Sequence, residues 1–138
     1  MSLKLLNQNL RKEWLNSRVE LSTVDGDIYL PKGEVIQITS PTTEVTCNGL
    51  TGRIRTVSQT LASGANAEFS VTNSYVNANS TVIAQITFYS GNYSANGFPV
   101  VTVDTVADGY FDVNVMNCHP SNALSGYVDI QFIVTQPL

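Results

Sequence analysis

Three stretches of the chain alternate apolar and polar residues with period two, the signature of a β-strand with one buried face. In YFDVNVMN, Phe111, Val113 and Val115 fall on one side, with Asp112 and Asn114 on the other. In GYVDIQFIVTQ, Val128, Ile130, Phe132 and Val134 alternate with Tyr127, Asp129, Gln131 and Ile133. In TVIAQITFY, Val82, Ala84, Ile86 and Phe88 are expected inside, and Thr81, Ile83, Gln85, Thr87 and Tyr89 outside. From residue 43 onward the spacing predicts strands at 43–47, 51–60, 67–73, 81–89, 98–106, 110–117 and 126–135. Turn chemistry divides them, with Asn48-Gly49, Ser63-Gly64, Ser90-Gly91-Asn92, Asn96-Gly97 and Ser125-Gly126 as examples. Asp108-Gly109, between two alternating runs, is the strongest hairpin signal. Short strands at intervals of about 8–12 residues predict an all-β, jelly-roll-like antiparallel β-sandwich.

The first 40 residues follow another pattern. Leu3, Leu6, Leu10 and Trp14 form one face of a short helix, with Lys4, Arg11, Lys12 and Glu13 off that stripe. So short a helix needs a surface to dock on, either its own domain or a neighbour. Residues 18–24 read as a possible short strand, Asp25-Gly26 and Pro31-Lys32-Gly33 as turns, and VIQIT as another short strand. Pro41 then breaks the chain. The expected organisation is an N-terminal helical or extended arm and transition segment over 1–40, then a sandwich domain over 41–138.

Composition sharpens this picture. Of 138 residues, 43% are hydrophobic, enough for a core, but only 13% are charged, about half the usual share. Thirteen Asn, 13 Ser and 14 Thr fill the deficit. All seven cations lie in the first 55 residues, against six anions; residues 56–138 carry five anions and no cation. Phosphate binding needs clustered Lys and Arg, so nucleic acid is not an expected partner. No apolar run approaches the roughly 20 residues of a membrane span. The opening MSLKLLNQNLRKEW does not read as a signal peptide, because polar residues interrupt it before an apolar region forms. Cys47 and Cys118 are expected as free, partly buried thiols.

Candidate chemistry is sparse. His119, the single histidine, sits in NCHPSNALSG beside Cys118 and Ser121; a turn-shaping role before Pro120 explains it better than a nucleophile–base pair. Cys47, Cys118 and His119 lack the spacing of a zinc site. Asp25-Gly26-Asp27 lacks the further oxygen ligands of a calcium loop. Asp108, Asp112 and Asp129 are scattered and expected on solvated surface, unlike a hydrolytic carboxylate pair. The expectation is a protein that is not an enzyme and holds no cofactor or metal. Tyr89, Tyr93, Phe98 and Tyr110 gather around GNYSANGF. They could pack the end of the sandwich, contact a protein, or stack on a sugar. On the outward register, Ile83, Tyr89, Tyr127 and Ile133 could form an apolar patch. With so little charge to oppose association, this favours a homo-oligomer. The expected protein-interface residues are therefore Leu3, Leu6, Leu10, Trp14, Ile83, Tyr89, Tyr127 and Ile133.

Residues 58–135 carry a resemblance. A small-residue turn precedes the F-x-V-T-N strand at Phe69, and a V-x-A-x-I strand follows at Val82. Then come G-x-P-V-V from Gly97, G-x-F-x-V-x-V-x-N from Gly109, an A-L-x-G turn from Ala123 and a final alternating strand. This order resembles a β-sandwich module of tailed-phage and cyanophage virion proteins. The resemblance implies a non-enzymatic head decoration or tail-fibre protein, commonly trimeric, with no active-site residues to carry over. The expected role is capsid decoration or cement in the virion, assembled in the host cytoplasm, with the major capsid protein or another virion protein as partner. The alternative is a tail-fibre or appendage module that binds a host receptor or glycan.

Overall fold

The computed structural model describes residues 22–24 and 27–136. The predicted helical stripe of Leu3, Leu6, Leu10 and Trp14 lies outside them. The chain divides into two compact units, Met1–Leu30 and Pro31–Leu138. In the first, β1 (Ser22–Val24) and β2 (Asp27–Tyr29) pair antiparallel, Ser22 opposite Tyr29; the expected Asp25-Gly26 turn lies outside the described residues.

The second unit is an all-β sandwich, with no helix among the described residues. Its strands are β3 (Lys32–Ile36), β4 (Val45–Thr46), β5 (Thr51–Arg55), β6 (Gln59–Leu61), β7 (Asn66–Thr72), β8 (Thr81–Tyr89), β9 (Pro99–Ala107), β10 (Tyr110–Asn117), β11 (Leu124–Gly126) and β12 (Val128–Thr135). One sheet has the order β4-β7-β10-β9 and the other β3-β5-β12-β8; β11 and β6 form a two-stranded ribbon. Two pairings at the sheet margins, β3 with β5 and β4 with β7, are parallel, where an antiparallel sandwich was expected throughout. β3 also takes in Lys32-Gly33, expected in a turn, and Val35-Ile36, expected to begin a short strand of the transition segment. Its ladder to β5 makes them part of the sandwich.

The inward phases fill the core as the alternation predicts. Ala67, Phe69 and Val71 of β7 and Phe111, Val113 and Val115 of β10 meet Ile54 of β5 and Val128, Ile130, Phe132 and Val134 of β12. Phe111 and Phe132 touch edge to face across the two sheets, with ring centroids 5.1 Å apart. Gly52 is required opposite, because a Cβ there would collide with the Phe132 ring. Gly109, at φ +83°, supplies the left-handed residue of the β9–β10 hairpin.

Two expected strands, 51–60 and 126–135, are each broken, and at the same place. β5 pairs with β12 and β6 with β11, so both breaks lie on one ladder. Thr56 bridges the gap: its N–H donates to the Val128 carbonyl (2.9 Å) and its hydroxyl accepts from the Val128 N–H (3.0 Å).

Both long edge strands carry a bulge. In β8, Phe88 stands opposite Asp129 and Ile86 opposite Ile130, which leaves Thr87 without a cross-strand partner. In β9, Asp104 is the extra residue between Val103, opposite Val113, and Thr105, opposite Asp112. The β8 bulge reverses the predicted phase beyond it. Phe88, expected inside, is exposed; Tyr89, expected outside, is buried.

Candidate functional site

The outward face of β3-β5-β12-β8 is built of three rungs, each crossing all four strands. The first is Lys32–Thr51–Ile133–Ile83, the second Glu34–Arg53–Gln131–Gln85, the third Ile36–Arg55–Asp129–Phe88. Ile83 and Ile133 stand directly opposite each other, 59% and 37% exposed, and Ile36 and Phe88 are also exposed. A shallow depression of about 430 Å³ opens between the first two rungs, lined by Lys32, Arg53, Ile83, Gln85, Gln131 and Ile133 among others.

The third rung holds the strongest electrostatic feature of the face. Arg55 grips Asp129 with two bonds, Nε to Oδ1 at 2.7 Å and Nη2 to Oδ2 at 3.0 Å. Arg53 adds Nη2 to Oδ2 at 2.5 Å and reaches Glu34 at 3.4 Å. Arg53 and Arg55 sit two residues apart on one strand, so the pleat aims both at the same acid. Asp129 was expected on solvated surface. It does point outward, but the two guanidiniums roof it over and leave it 2% exposed. The Arg55 bonds, helped by those of Arg53 and opposed by burial, hold its carboxyl down to about 2. The same contact raises the Arg55 guanidinium. Arg55 also lies over the Tyr127 ring, 4.7 Å from its centroid, and Tyr127 packs on Phe88 at 5.8 Å.

The predicted interface residues thus part company. Ile83 and Ile133 are together and exposed. Tyr127 is half-buried beneath Arg55. Tyr89 is not on this face: it is 6% exposed, and its hydroxyl hydrogen-bonds the carbonyls of Asn96 and Ser125, the latter at 3.1 Å. The bulge at Thr87 is the cause, since it turns Tyr89 inward.

A second cluster lies where loops 62–65, 90–98 and 118–123 meet. Asn117, at the end of β10 and 1% exposed, ties them together. Its Nδ2 donates to the carbonyls of Leu61 (3.0 Å), Ala62 (3.2 Å) and Asn122 (2.9 Å). Its Oδ1 accepts from the N–H groups of Phe98 (3.0 Å) and His119 (3.1 Å). His119 shapes its turn by accepting, at Nδ1, the N–H groups of Ser121 (3.1 Å) and Asn122 (2.8 Å). Gly97, buried at φ +88°, must lack a Cβ because Leu124 backbone fills that space. Tyr93 meets Tyr89 edge-on at 5.1 Å and Phe98 at 5.5 Å. Tyr110, grouped with them in sequence, lies at the opposite end of β10, paired with Thr72 and Ala107.

Asn73 plays the part of Asn117 at the end of β7: fully buried, it bonds the Gly49 carbonyl at 2.9 Å and the Tyr75 N–H at 2.9 Å. Neither asparagine stood out in the sequence among so many. The only signal was position, since each directly follows or ends a strong alternating run. Both cysteines are free; Cys47 is buried, which raises its thiol, whereas Cys118 is exposed rather than partly buried. No group of three or more His, Cys, Asp or Glu able to hold a metal occurs among the described residues.

No protein-family model matches the chain, and no curated protein or solved structure matches it at a significant level.

Proposed function

We propose that this chain is a non-enzymatic structural protein of a phage particle, a decoration or cement subunit that bridges neighbouring coat subunits as a homotrimer. The observation that carries the reading is the Ile83–Ile133 rung, an exposed apolar pair on a sheet face with few unpaired charges. Burying a large apolar side chain contributes roughly 1.5–3 kcal/mol. A face of such residues, repeated over many copies, stabilises a shell without any bond being made or broken. The sequence pattern of Leu3, Leu6, Leu10 and Trp14, outside the described residues, would add a second apolar contact. The resemblance of residues 58–135 to virion modules supports a phage particle as the setting.

The test is location and copy number. Reconstruction of the particle should place this density on the head, at hundreds of copies. Removing residues 1–17, or introducing Ile83→Asp, should strip the protein from heads. Density confined to a tail appendage, at tens of copies or fewer, would overturn the cement role.

A further inference from the structure

We propose that the loop cluster around Tyr93 and Phe98 is a binding site for an uncharged carbohydrate. The proposal is independent of where the chain sits in a particle and of what covers the Ile83–Ile133 rung.

The two rings are 49% and 48% exposed, yet they are not loose. Tyr93 rests on Tyr89, whose hydroxyl is fixed to the Asn96 and Ser125 carbonyls and also accepts the Ser125 N–H at 3.2 Å. Phe98 is pinned through its own backbone: its N–H donates to Asn117, and its carbonyl accepts the Cys118 N–H at 2.8 Å. Asn92 closes the loop tip by accepting the Ser94 N–H (2.9 Å) and hydroxyl (2.7 Å). Asn96 accepts the Asn92 N–H at 3.3 Å. Aromatic rings held this way lose little entropy when a ligand covers them.

Charge narrows the ligand. Loops 62–65, 90–98 and 118–123 contain no Asp, Glu, Lys or Arg. Apart from His119, whose Nδ1 is engaged within its own turn, an ionic ligand would find no group of opposite charge there. A neutral one finds donors: the Oδ1 atoms of Asn92 and Asn96 are engaged, while neither Nδ2 is used among the hydrogen bonds of the described residues. Half-exposed aromatic rings on the same uncharged loop as two amide donors suit a sugar ring. The ring's C–H bonds meet the negative π-face, and its hydroxyls accept from the amides.

Size separates a sugar from a protein partner. A Tyr or Phe can bury about 150–250 Å², so two half-exposed rings offer roughly 200 Å². A standard protein interface needs about 800 Å² per partner. The rings fall well short of that, but match one or two sugar residues.

The experiment is an amide NMR titration of the full chain with methyl glycosides of neutral hexoses and N-acetylhexosamines, their short β-linked oligomers, and sialyllactose as an acidic comparator. The expected result is saturable shifts confined to residues 90–98 and 118–125 with at least one neutral sugar. Tyr93→Ala should weaken that binding by roughly tenfold, whereas Tyr110→Ala, at the far end of β10, should leave it unchanged. Tyr93→Phe separates stacking from the hydroxyl and should retain most of the affinity. The absence of saturable shifts with every neutral sugar, preference for the acidic comparator, or equal binding by Tyr93→Ala would each overturn the proposal.

Discussion

The two outward faces of the sandwich solve the same solvation problem with different chemistry. On β4-β7-β10-β9 the outward residues include Glu68, Ser70, Thr72, Asp104, Asp112 and Asn114, with Glu44 beside them, and none is Lys or Arg. Three of its carboxylates are met by neutral donors instead: Ser70 to Asp112 at 2.5 Å, Thr72 to Glu44 at 2.6 Å, Thr102 to Asp104 at 2.7 Å, Asn114 to Asp104 at 3.1 Å. The β3-β5-β12-β8 face holds Lys32, Arg53 and Arg55, together with the exposed Ile36, Ile83, Phe88 and Ile133. An all-anionic face repels a second copy of itself and stays wet. A nearly balanced face with apolar rungs costs little to cover. The low overall charge of the chain therefore conceals two faces of different chemistry, one anionic and hydrated, the other nearly balanced in charge and partly apolar.

The sharpest way to break this contrast is Asp129→Ala. It would leave two guanidiniums without their shared partner and should cost about 2–3 kcal/mol in urea unfolding. That lies below the cost of breaking a wholly buried pair, because both arginine side chains remain about a third exposed. Acid should erase much of the same contribution. The Asp129 carboxyl is held below its unfolded value, so its stabilisation is present above about pH 4 and is lost as pH falls through about 2. The expected loss is about 2 kcal/mol, followed by unfolding across that window, and Asp129→Asn should flatten the profile. Next in size, Ile83→Asp should weaken self-association roughly tenfold, read by analytical ultracentrifugation, with monomer stability changed by less than about 0.5 kcal/mol. Glu68→Gln on the opposite face should leave association unchanged. Smallest of all, Asp112→Asn should shift stability by no more than about 0.5 kcal/mol, since an amide oxygen can still accept from Ser70. A loss at Asp112 equal to that at Asp129 would dissolve the distinction between the faces.

What the sequence discloses and what it hides follow from locality. The limits of β8 and β10 are legible because each is a run of eight or nine residues of period-two character bounded by turn residues. The inward phase of β12 is legible for the same reason. The orientation of Phe88 and Tyr89 is not, because a bulge is set by the partner strand, and nothing within TVIAQITFY marks Thr87 as the extra residue. Asp129 looks like a surface acid until the fold brings Arg53 and Arg55, more than 70 residues away in sequence, against it. The break between β5 and β6 is hidden likewise, since Thr56 interrupts the strand only through Val128. Of the loop cluster, Tyr93, Phe98, Asn92 and Asn96 could be gathered from sequence, because they share one short loop. That Tyr89 is the buried anchor, and that Tyr110 belongs elsewhere, could not.

The bulges in β8 and β9 reach beyond local geometry. These two strands lie against each other and close one side of the sandwich, and each has a kinked hydrogen-bonding rim. A stray extended segment cannot zip flush along such a border. Crowded copies are thereby steered away from ribbon-like polymerisation on that flank, and growth through sheet faces is bounded by the area of a face.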